Sequence, residues 1–220
     1  YLEGQMERKL FTHLAGSDAD TLNNTLTHAG FRRSQSIAYR PACDACSACK
    51  SVRVVLNDFT PSTSFRRLMR KNADLTREVC PPRTGREQYD LLRRYLDARH
   101  ENGGMADMAP GDYVAMVEET AVDTFVTEYR TASGVLLACL LGDRMQDGIS
   151  LVYSFFDPGA EKRSLGSFMI LDQIARAKEA GHAHIYLGYL IEDCRKMAYK
   201  KRFAPLQRLG QDGWEDYHPG

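Results

Sequence analysis

The chain has 220 residues, of which 43% are hydrophobic and 26% are charged, and its formal net charge is zero. That composition is typical of a globular protein. No apolar run approaches the ~18 residues that a membrane-spanning helix needs, and no segment resembles a signal peptide, so we expect a cytoplasmic protein without a membrane span.

The zero net charge hides an uneven distribution along the chain. Residues 31–86 carry twelve Lys or Arg against four Asp or Glu, whereas residues 87–130 carry ten Asp or Glu against four Arg. The basic part suits a polyanion, and a solvated face balanced by the acidic middle would give the same pattern.

The first part of the chain predicts a small α+β unit. Its predicted elements are, in chain order, a helix over 18–29, a strand over 31–39, a turn-rich loop with three cysteines, a strand over 51–59 and a basic helix over 65–75. Cys80-Pro81-Pro82 then breaks the pattern. We therefore expect a boundary at 81–86 that separates a basic, cysteine-containing domain, 1–85, from a second domain, 86–220.

The second part predicts an alternation of helices and strands. In chain order these are helices over 87–101 and 112–119, strands over 123–130, 135–143 and 149–156, a helix over 164–180, a strand over 183–190 and a helix around 195–203. The order resembles the GNAT acyltransferase core, in which antiparallel strands lead into a parallel pair joined by one crossover helix. The resemblance implies an α+β fold, a GNAT-like mixed sheet with a crossover helix, preceded by the smaller cysteine-bearing α+β domain. It also implies that strands 149–156 and 183–190 splay apart and admit the acyl donor between them.

Four residues begin the predicted crossover helix: Arg163, Ser164, Leu165 and Gly166. A helix N-terminus presents free backbone N–H groups and a partial positive charge, which favour a phosphate. A serine-capped helix without a ligand is the alternative interpretation.

Polar side chains also lie at the end of the predicted strand over 149–156. Tyr153 and Ser154 are in its last part and Asp157 comes directly after it, where the reacting acyl group would be in a splayed-strand fold. Because strand side chains alternate between faces, we expect one of Phe155 and Phe156 to belong to the core.

The last predicted helix is strongly basic. Lys196, Tyr199 and Lys200 would share one face at spacings of three and four, with Arg202 close by. Such a face binds carboxylate or phosphate well, and an ordinary basic helix is the alternative.

Three cysteines lie at a spacing of three in the basic part: Cys43, Cys46 and Cys49. They offer three ligands to zinc or to an iron–sulfur cluster, which needs a fourth, from Cys80 or from a residue before Tyr1. Reduced thiols without a metal are the alternative.

The chain as a whole resembles the bacterial aspartate/glutamate leucyltransferases, relatives of the arginyl-tRNA–protein transferases. The matching stretches are Gly30-Phe-Arg-Arg-Ser-Gln, Tyr39-Arg-Pro-Ala-Cys43, Cys46-x-Ala-Cys49, Arg94-Tyr-Leu-Asp-Ala-Arg-His100, Val152-Tyr-Ser-Phe-Phe-Asp-Pro158, Tyr186-Leu-Gly-Tyr189 and Lys196-Met-x-Tyr-Lys-x-Arg-Phe-x-Pro205. The resemblance implies transfer of leucine from Leu-tRNA to the α-amine of proteins that begin with Asp or Glu, which creates an N-degron, with no cofactor required.

The resemblance also implies roles for the candidate residues. Acceptor binding is expected of Lys196, Lys200, Arg202, Arg40 and Arg53. Aminoacyl-tRNA binding is expected of Arg66, Arg67, Arg70 and Lys71, together with residues 163–166. Catalytic roles are expected of Tyr153, Ser154, Asp157 and Tyr199, with Glu192 as a further candidate for proton transfer. Arginyl transfer, acetyl-CoA-dependent N-acetylation and a zinc-binding RNA-binding module are the alternative functions.

Overall fold

Two β-sheets and five α-helices make up the computed structural model, which describes residues 7–99 and 107–218. The strands are β1 (Lys9–His13), β2 (Arg32–Ser34), β3 (Ile37–Pro41), β4 (Lys50–Val55), β5 (Thr76–Cys80), β6 (Thr124–Arg130), β7 (Leu136–Arg144), β8 (Gly148–Phe156), β9 (His184–Leu190), β10 (Leu206–Leu209) and β11 (Trp214–Tyr217). The helices are α1 (Ala19–His28), α2 (Thr63–Lys71), α3 (Arg86–Arg99), α4 (Pro110–Glu118) and α5 (Leu165–Glu179), and two 3-10 helices cover Pro158–Arg163 and Ala198–Phe203.

The large sheet has eight strands in the order β11-β10-β4-β9-β8-β7-β6-β5. Its neighbouring strands run antiparallel except β8 and β9, which are parallel and are connected through α5. A parallel pair needs such a crossover connection, since its strands start at the same edge. The predicted mixed sheet with a crossover helix is confirmed.

Helices cover both faces of this sheet. On one face α2 and α5 contribute Phe65, Phe168 and Leu171 to one hydrophobic cluster, and on the other α3 and α4 contribute Leu91 and Tyr113 to a second. The strand β7 is buried along nearly its whole length because it lies between the two clusters. Its unbroken apolar run Leu-Leu-Ala-Cys-Leu-Leu is what burial on both faces requires.

The small sheet, in the order β1-β3-β2, packs against the large one through a buried ion pair. Arg33 of β2 donates from Nε and Nη2 to the two carboxylate oxygens of Asp143 on β7, each at 2.7 Å. Both side chains are almost fully buried, at 1% and 0% exposure, and Thr124 donates a further hydrogen bond to Asp143. The bidentate geometry offsets the cost of removing two charges from water.

The sequence predicted the long elements and missed short ones. The single strand expected over 31–39 is the hairpin β2–β3, which turns at Gln35 with a φ of 54°. The helix expected around 195–203 is a turn followed by the 3-10 helix Ala198–Phe203. The strands β1, β5, β10 and β11 were not predicted, and Glu101, the expected end of α3, lies outside the described residues.

The domain boundary expected at 81–86 stays a prediction, and the large sheet continues across it. From residues before 85, β4 pairs with β9 and β10, and β5 pairs with β6. Segments on both sides of this position therefore contribute to one sheet and to one core.

Candidate active site

The parallel strands β8 and β9 separate soon after they begin. Their ladder consists of Gly148 with His184, Ile149 with Ile185 and Ser150 with Tyr186, although β8 continues to Phe156 and β9 to Leu190. Beyond this point no further ladder pair joins β8 to β9 among the described residues, so the two strands diverge, and we call the space between them the cleft. The splayed pair predicted from the sequence is present.

An arginine from the small sheet lies in the narrow end of this cleft. The Arg32 guanidinium donates from Nη1 to the Leu187 carbonyl at 3.0 Å and from Nη2 to the Leu151 and Val152 carbonyls at 2.8 and 3.3 Å. It therefore bridges β8 and β9 immediately after their ladder ends. In the sequence, Arg32 is one residue of the family-matching stretch Gly30-Phe-Arg-Arg-Ser-Gln, and no motif or spacing marks it as a site residue.

Aromatic side chains line β8 beyond Arg32. Tyr153 is half-buried, and its hydroxyl has no hydrogen-bond partner among the residues that the structure describes. Burial raises the pKa of Tyr153 well above that of an ordinary tyrosine, so the hydroxyl remains a donor at neutral pH. Phe156 packs against Tyr95 of α3 with ring centroids 5.0 Å apart, and Phe155 is buried in the core as expected.

The 3-10 helix after β9 places Lys200 beside the same strands. Lys200 is 7% exposed, and its Nζ donates to the Tyr189 carbonyl at the end of β9. Burial first, and then the charge of Arg32, lowers the pKa of Lys200 to about 7. Its neighbour Tyr199 is 43% exposed, and the desolvation of the remainder of this side chain raises its pKa, against the opposing effect of Arg32. Two predicted residues, Tyr199 and Lys200, therefore lie within the electrostatic reach of the Arg32 guanidinium.

The other residues predicted for acceptor binding are distributed more widely. Lys196 and Arg202 are exposed, and Arg202 lies 5.3 Å over the Phe65 ring. Arg40 lies over the Phe31 ring at 5.1 Å. Arg53 is buried near the opposite end of the strands, where it donates to Gln207 and stacks over Trp214 at 4.3 Å. The structure therefore does not bring the five predicted cations together.

The start of the crossover helix lies close to the end of β8. A Cβ on Gly166 would come within 3.2 Å of the Phe156 ring, so a glycine suits this approach. Ser164 is exposed in a left-handed conformation and makes no side-chain cap, and Leu165 is buried. Arg163 pairs with Asp74 through two hydrogen bonds of 2.9 and 2.8 Å, which lowers the pKa of that carboxyl. The Arg163 charge is thus engaged by a carboxylate, and the binding of a phosphate at this helix terminus stays a prediction that depends mainly on the first-turn N–H groups of α5.

The basic helix α2 packs against α5 and turns its cations outward. Arg66, Arg67 and Arg70 are exposed, and Lys71 donates to the carbonyl of Lys162 in the 3-10 helix before α5. The cations thus follow one side of the crossover helix.

The predicted acids are engaged locally. Asp157 accepts from the Gly159 amide at 2.8 Å and so caps the 3-10 turn after β8. Glu192 pairs with Lys201 and accepts from Tyr217, and both contacts lower its pKa. Ser154 is half-buried and lies opposite Leu140 in the β7–β8 ladder.

The thiols do not assemble a metal site in the described structure. Cys43, Cys46 and Cys49 line a cavity of about 250 Å³ with Arg40 and Lys50, and burial raises the pKa of Cys49. Within residues 7–99 and 107–218, no three His, Cys, Asp or Glu side chains are grouped to hold a metal ion. Cys80 as a fourth ligand is wrong, because it is on β5, five strand spacings or about 24 Å from β4.

Two solved structures with a similar fold indicate the fold class of this chain. FemX superposes with a TM-score of 0.57 at 12% identity, covering 96% of this chain and 71% of its own. L-PGS from Bacillus licheniformis superposes with a TM-score of 0.56 at 16% identity, covering 77% and 58%. Together with the splayed strands and the crossover helix, these matches make the fold that of a GNAT-like acyltransferase.

Sequence comparison narrows the class to one family. The C-terminal part of the arginine-tRNA-protein transferases matches residues 87–210, and their N-terminal part matches residues 1–67. The chain belongs to this family. A protein of Parvibaculum lavamentivorans named aspartate/glutamate leucyltransferase is 56% identical over 219 residues, which cover 100% of this chain and 90% of the relative. A protein of the same name from Afipia carboxidovorans is 56% identical, covering 97% and 87%. The family resemblance inferred from the sequence is confirmed.

None of the helices in the described parts of the chain has the length and apolarity to cross a bilayer.

Proposed function

We propose that this protein transfers leucine from Leu-tRNA to the α-amine of proteins that begin with Asp or Glu, acting in the cytoplasm and so creating an N-degron on its acceptors. The observation that carries the proposal is the identity of 56%, over nearly the whole chain, to relatives named aspartate/glutamate leucyltransferase. The divergence of β8 and β9, which leaves a cleft as in a GNAT-like fold, is the structural observation that supports the proposal.

The reaction is the aminolysis of an ester. The acceptor nitrogen attacks the carbonyl carbon of the leucyl ester, and negative charge develops on the carbonyl oxygen. The bond from that carbon to the ribose oxygen then breaks, and the proton lost by the nitrogen passes to the leaving oxygen. Because an α-amine has a pKa of about 7.7–8.0, part of the acceptor is already neutral at physiological pH. The protein needs mainly to position the two substrates and to stabilise the developing charge.

Tyr153 is the residue that we assign to the developing charge. Its hydroxyl is a donor without a partner among the described residues, on the strand that borders the cleft. A buried donor aimed at an oxyanion acts in a medium of low dielectric, where a hydrogen bond to a charge is strong. Tyr199, whose pKa is affected by the nearby Arg32 guanidinium, carries the second hydroxyl that we place near the reacting ester.

Lys200 is the cation that we assign to the acidic side chain of the acceptor. Neither Lys200 nor Arg32 has a carboxylate within ion-pair distance among the described residues. Because the pKa of Lys200 is lowered to about 7, an acceptor carboxylate brought to this end of the cleft would favour the protonated form of Lys200 and pair with it. Lys196 and Arg202, exposed on the same turn, would add weaker attraction.

The donor tRNA would be held through its phosphates. The N–H groups in the first turn of α5 and the exposed cations Arg66, Arg67 and Arg70 of α2 are the groups that we assign to them. For the amino acid itself, leucine is proposed because the relatives that match over nearly the whole chain are named leucyltransferases.

The direct test is transfer of labelled leucine and labelled arginine, each charged on its own tRNA, to peptides that begin with Asp, Glu or Ala. We expect leucine to be transferred to the Asp and Glu peptides only. Transfer of arginine instead of leucine would show that the donor is Arg-tRNA. Transfer to the Ala peptide would contradict the proposed specificity for acceptors that begin with Asp or Glu. Absence of transfer from both donors would contradict the proposed function.

A further inference from the structure

The strand β8 carries an irregularity where it leaves β9. In the β7–β8 ladder Leu141 faces Tyr153 and Gly142 faces Leu151, so Val152 is an extra residue without an opposite partner. Such a bulge bends the strand and is frequent next to active sites. Here it begins two residues after Ser150, the last residue of β8 that pairs with β9.

The bulge and the guanidinium of Arg32 fit each other. Two successive carbonyls, those of Leu151 and Val152, accept from the same Nη2. In a regular strand successive carbonyls point to opposite neighbours, so one donor would not reach both. The remaining contact, from Nη1 to the Leu187 carbonyl, ties the same planar group to β9. A rigid arginine fork therefore stands where the backbone ladder would have continued.

Gly188 on β9 leaves the space that the guanidinium fills. Its φ is +75°, and a Cβ at this position would lie 1.1 Å from Nη1 of Arg32. No side chain can occupy that point while Arg32 is in place, so the glycine is required both by its backbone conformation and by the close approach. The strand β9 is thus shaped to receive the arginine.

We propose that Arg32 is a positioning residue of the transfer site, which fixes the distance between β8 and β9 and thereby the place of the Tyr153 hydroxyl beside the leucyl ester. This inference rests on the proposed function. It assigns a role in the transfer site to one residue of the small sheet, because the group that sets the width of the cleft comes from β2 and not from the acyltransferase core.

The electrostatics of the cleft support this role. Arg32 lies close enough to Lys200 to lower its pKa, after the larger effect of burial, and to oppose the rise in the pKa of Tyr199. The guanidinium thus acts on two residues of the 3-10 helix that follows β9, Tyr199 and Lys200, in addition to its three backbone contacts. Within residues 7–99 and 107–218 its hydrogen-bond partners are all backbone carbonyls, so none of the described carboxylates neutralises its charge at that end of the cleft.

The test compares Arg32→Ala and Arg32→Lys with the wild-type protein in steady-state leucine transfer. A misplacement of about 1 Å costs about 100-fold in rate, so kcat of Arg32→Ala should fall by about that factor while KM for the peptide and for Leu-tRNA changes about twofold or less. Arg32→Lys should recover only part of kcat, because a lysine cannot bridge both strands. Free guanidinium, added well below denaturing concentrations, should raise kcat of Arg32→Ala.

Arg33→Lys is the matched control, since Arg33 is the next residue and supports the same hairpin through Asp143. It should lower the melting temperature but leave kcat intact below the transition, without any response to guanidinium. If the Arg32 variants lose melting temperature but keep kcat below the transition, as this control does, or if guanidinium restores nothing, Arg32 is a scaffold residue and the inference fails.

Amide hydrogen exchange separates this inference from the proposed function, because it needs no substrate. In Arg32→Ala we expect faster exchange in residues 151–153 and 187–189 than in the rest of the large sheet. Unchanged exchange there would contradict the bridging role even in a protein that transfers leucine. If Arg32→Ala shows faster exchange but the wild-type protein transfers no leucine, the bridge between β8 and β9 is supported and only its role in catalysis is rejected.

Discussion

At the scale of single residues, the Tyr153 hydroxyl stands out because it is buried and has no partner in the described structure. A buried donor left unpaired costs about 1–3 kcal/mol, and proteins retain such groups mainly where they serve a function. The sequence indicated Tyr153 from its place at the end of a strand, but it could not show that its hydroxyl is unsatisfied. Arg32 escaped prediction for a related reason, since its importance comes from two strands that lie more than 100 residues further along the chain.

Tyr153→Phe should lower kcat for leucine transfer by about 100-fold, the typical effect of removing one donor to an oxyanion. Its thermal stability should not fall, because the deleted hydroxyl makes no hydrogen bond within the described residues. Tyr129→Phe is the control: Tyr129 donates to Asp172 at 2.9 Å, so this change should cost about 1 kcal/mol of stability and leave kcat unchanged. Full activity in Tyr153→Phe would exclude the assigned role.

At the scale of elements, sequence periodicity predicted what is long and buried. The helix α3 was predicted from an apolar side of Leu91, Leu92, Tyr95 and Leu96, of which the three leucines are fully buried and Tyr95 is half-buried. The strands β6, β7 and β8 were predicted as consecutive strands. The missed strands β1 and β5 are edge strands with largely exposed residues, so they lack the alternation that burial of one face imposes. The β2–β3 hairpin was read as one strand because its turn uses Gln35 at positive φ instead of glycine or asparagine.

The docking of that hairpin gives a prediction of its own. Asp143→Asn would leave Arg33 as a buried cation without its carboxylate, and removal of one partner from such a pair typically costs about 3–5 kcal/mol. Denaturant titration should show this loss. Asp123→Asn is a suitable comparison, since Asp123 pairs with Arg144 on the exposed surface and should contribute about 1 kcal/mol or less. Equal effects of the two changes would show that the buried pair adds nothing special to docking.

At the scale of the whole molecule, one carboxylate joins segments from distant parts of the chain. Asp147, in the turn before β8, accepts from Tyr186 at 2.9 Å and lies 2.8 Å from Nδ1 of His184 and 3.5 Å from Nε2 of His28. Burial alone would raise the pKa of Asp147, but these partners lower it from 3.8 to about 2. The group connects α1, the β7–β8 turn and β9, at the end of the sheet opposite the cleft.

This carboxylate should make stability depend on pH in acid. Because its pKa is lower in the folded state, the folded protein keeps Asp147 ionised where the unfolded chain takes up a proton. Its contribution is complete above pH ~4 and is lost as the pH falls through about 2, and it amounts to about 2 kcal/mol. Asp147→Asn should therefore lose stability at pH 6 but little at pH ~2, as followed by thermal melting. Asp212→Asn, at an exposed position, is the control and should change stability equally at both pH values. An equal loss of stability for Asp147→Asn at pH 6 and pH ~2 would contradict the role assigned to the Asp147 carboxylate.

The position of β4 has a consequence for how the protein is made. The strand ends at Val55, yet its two neighbours are β9, which begins at His184, and β10, which begins at Leu206. A ribosome that adds 5–20 residues per second needs on the order of ten seconds between finishing β4 and delivering its first neighbour. During that interval Val52, Val54 and Leu56, all fully buried in the finished protein, have no strand to cover them. The nascent chain therefore passes through a period in which these apolar side chains are exposed or make provisional contacts, and β4 acquires its sheet neighbours only after residues 184–209 have been made.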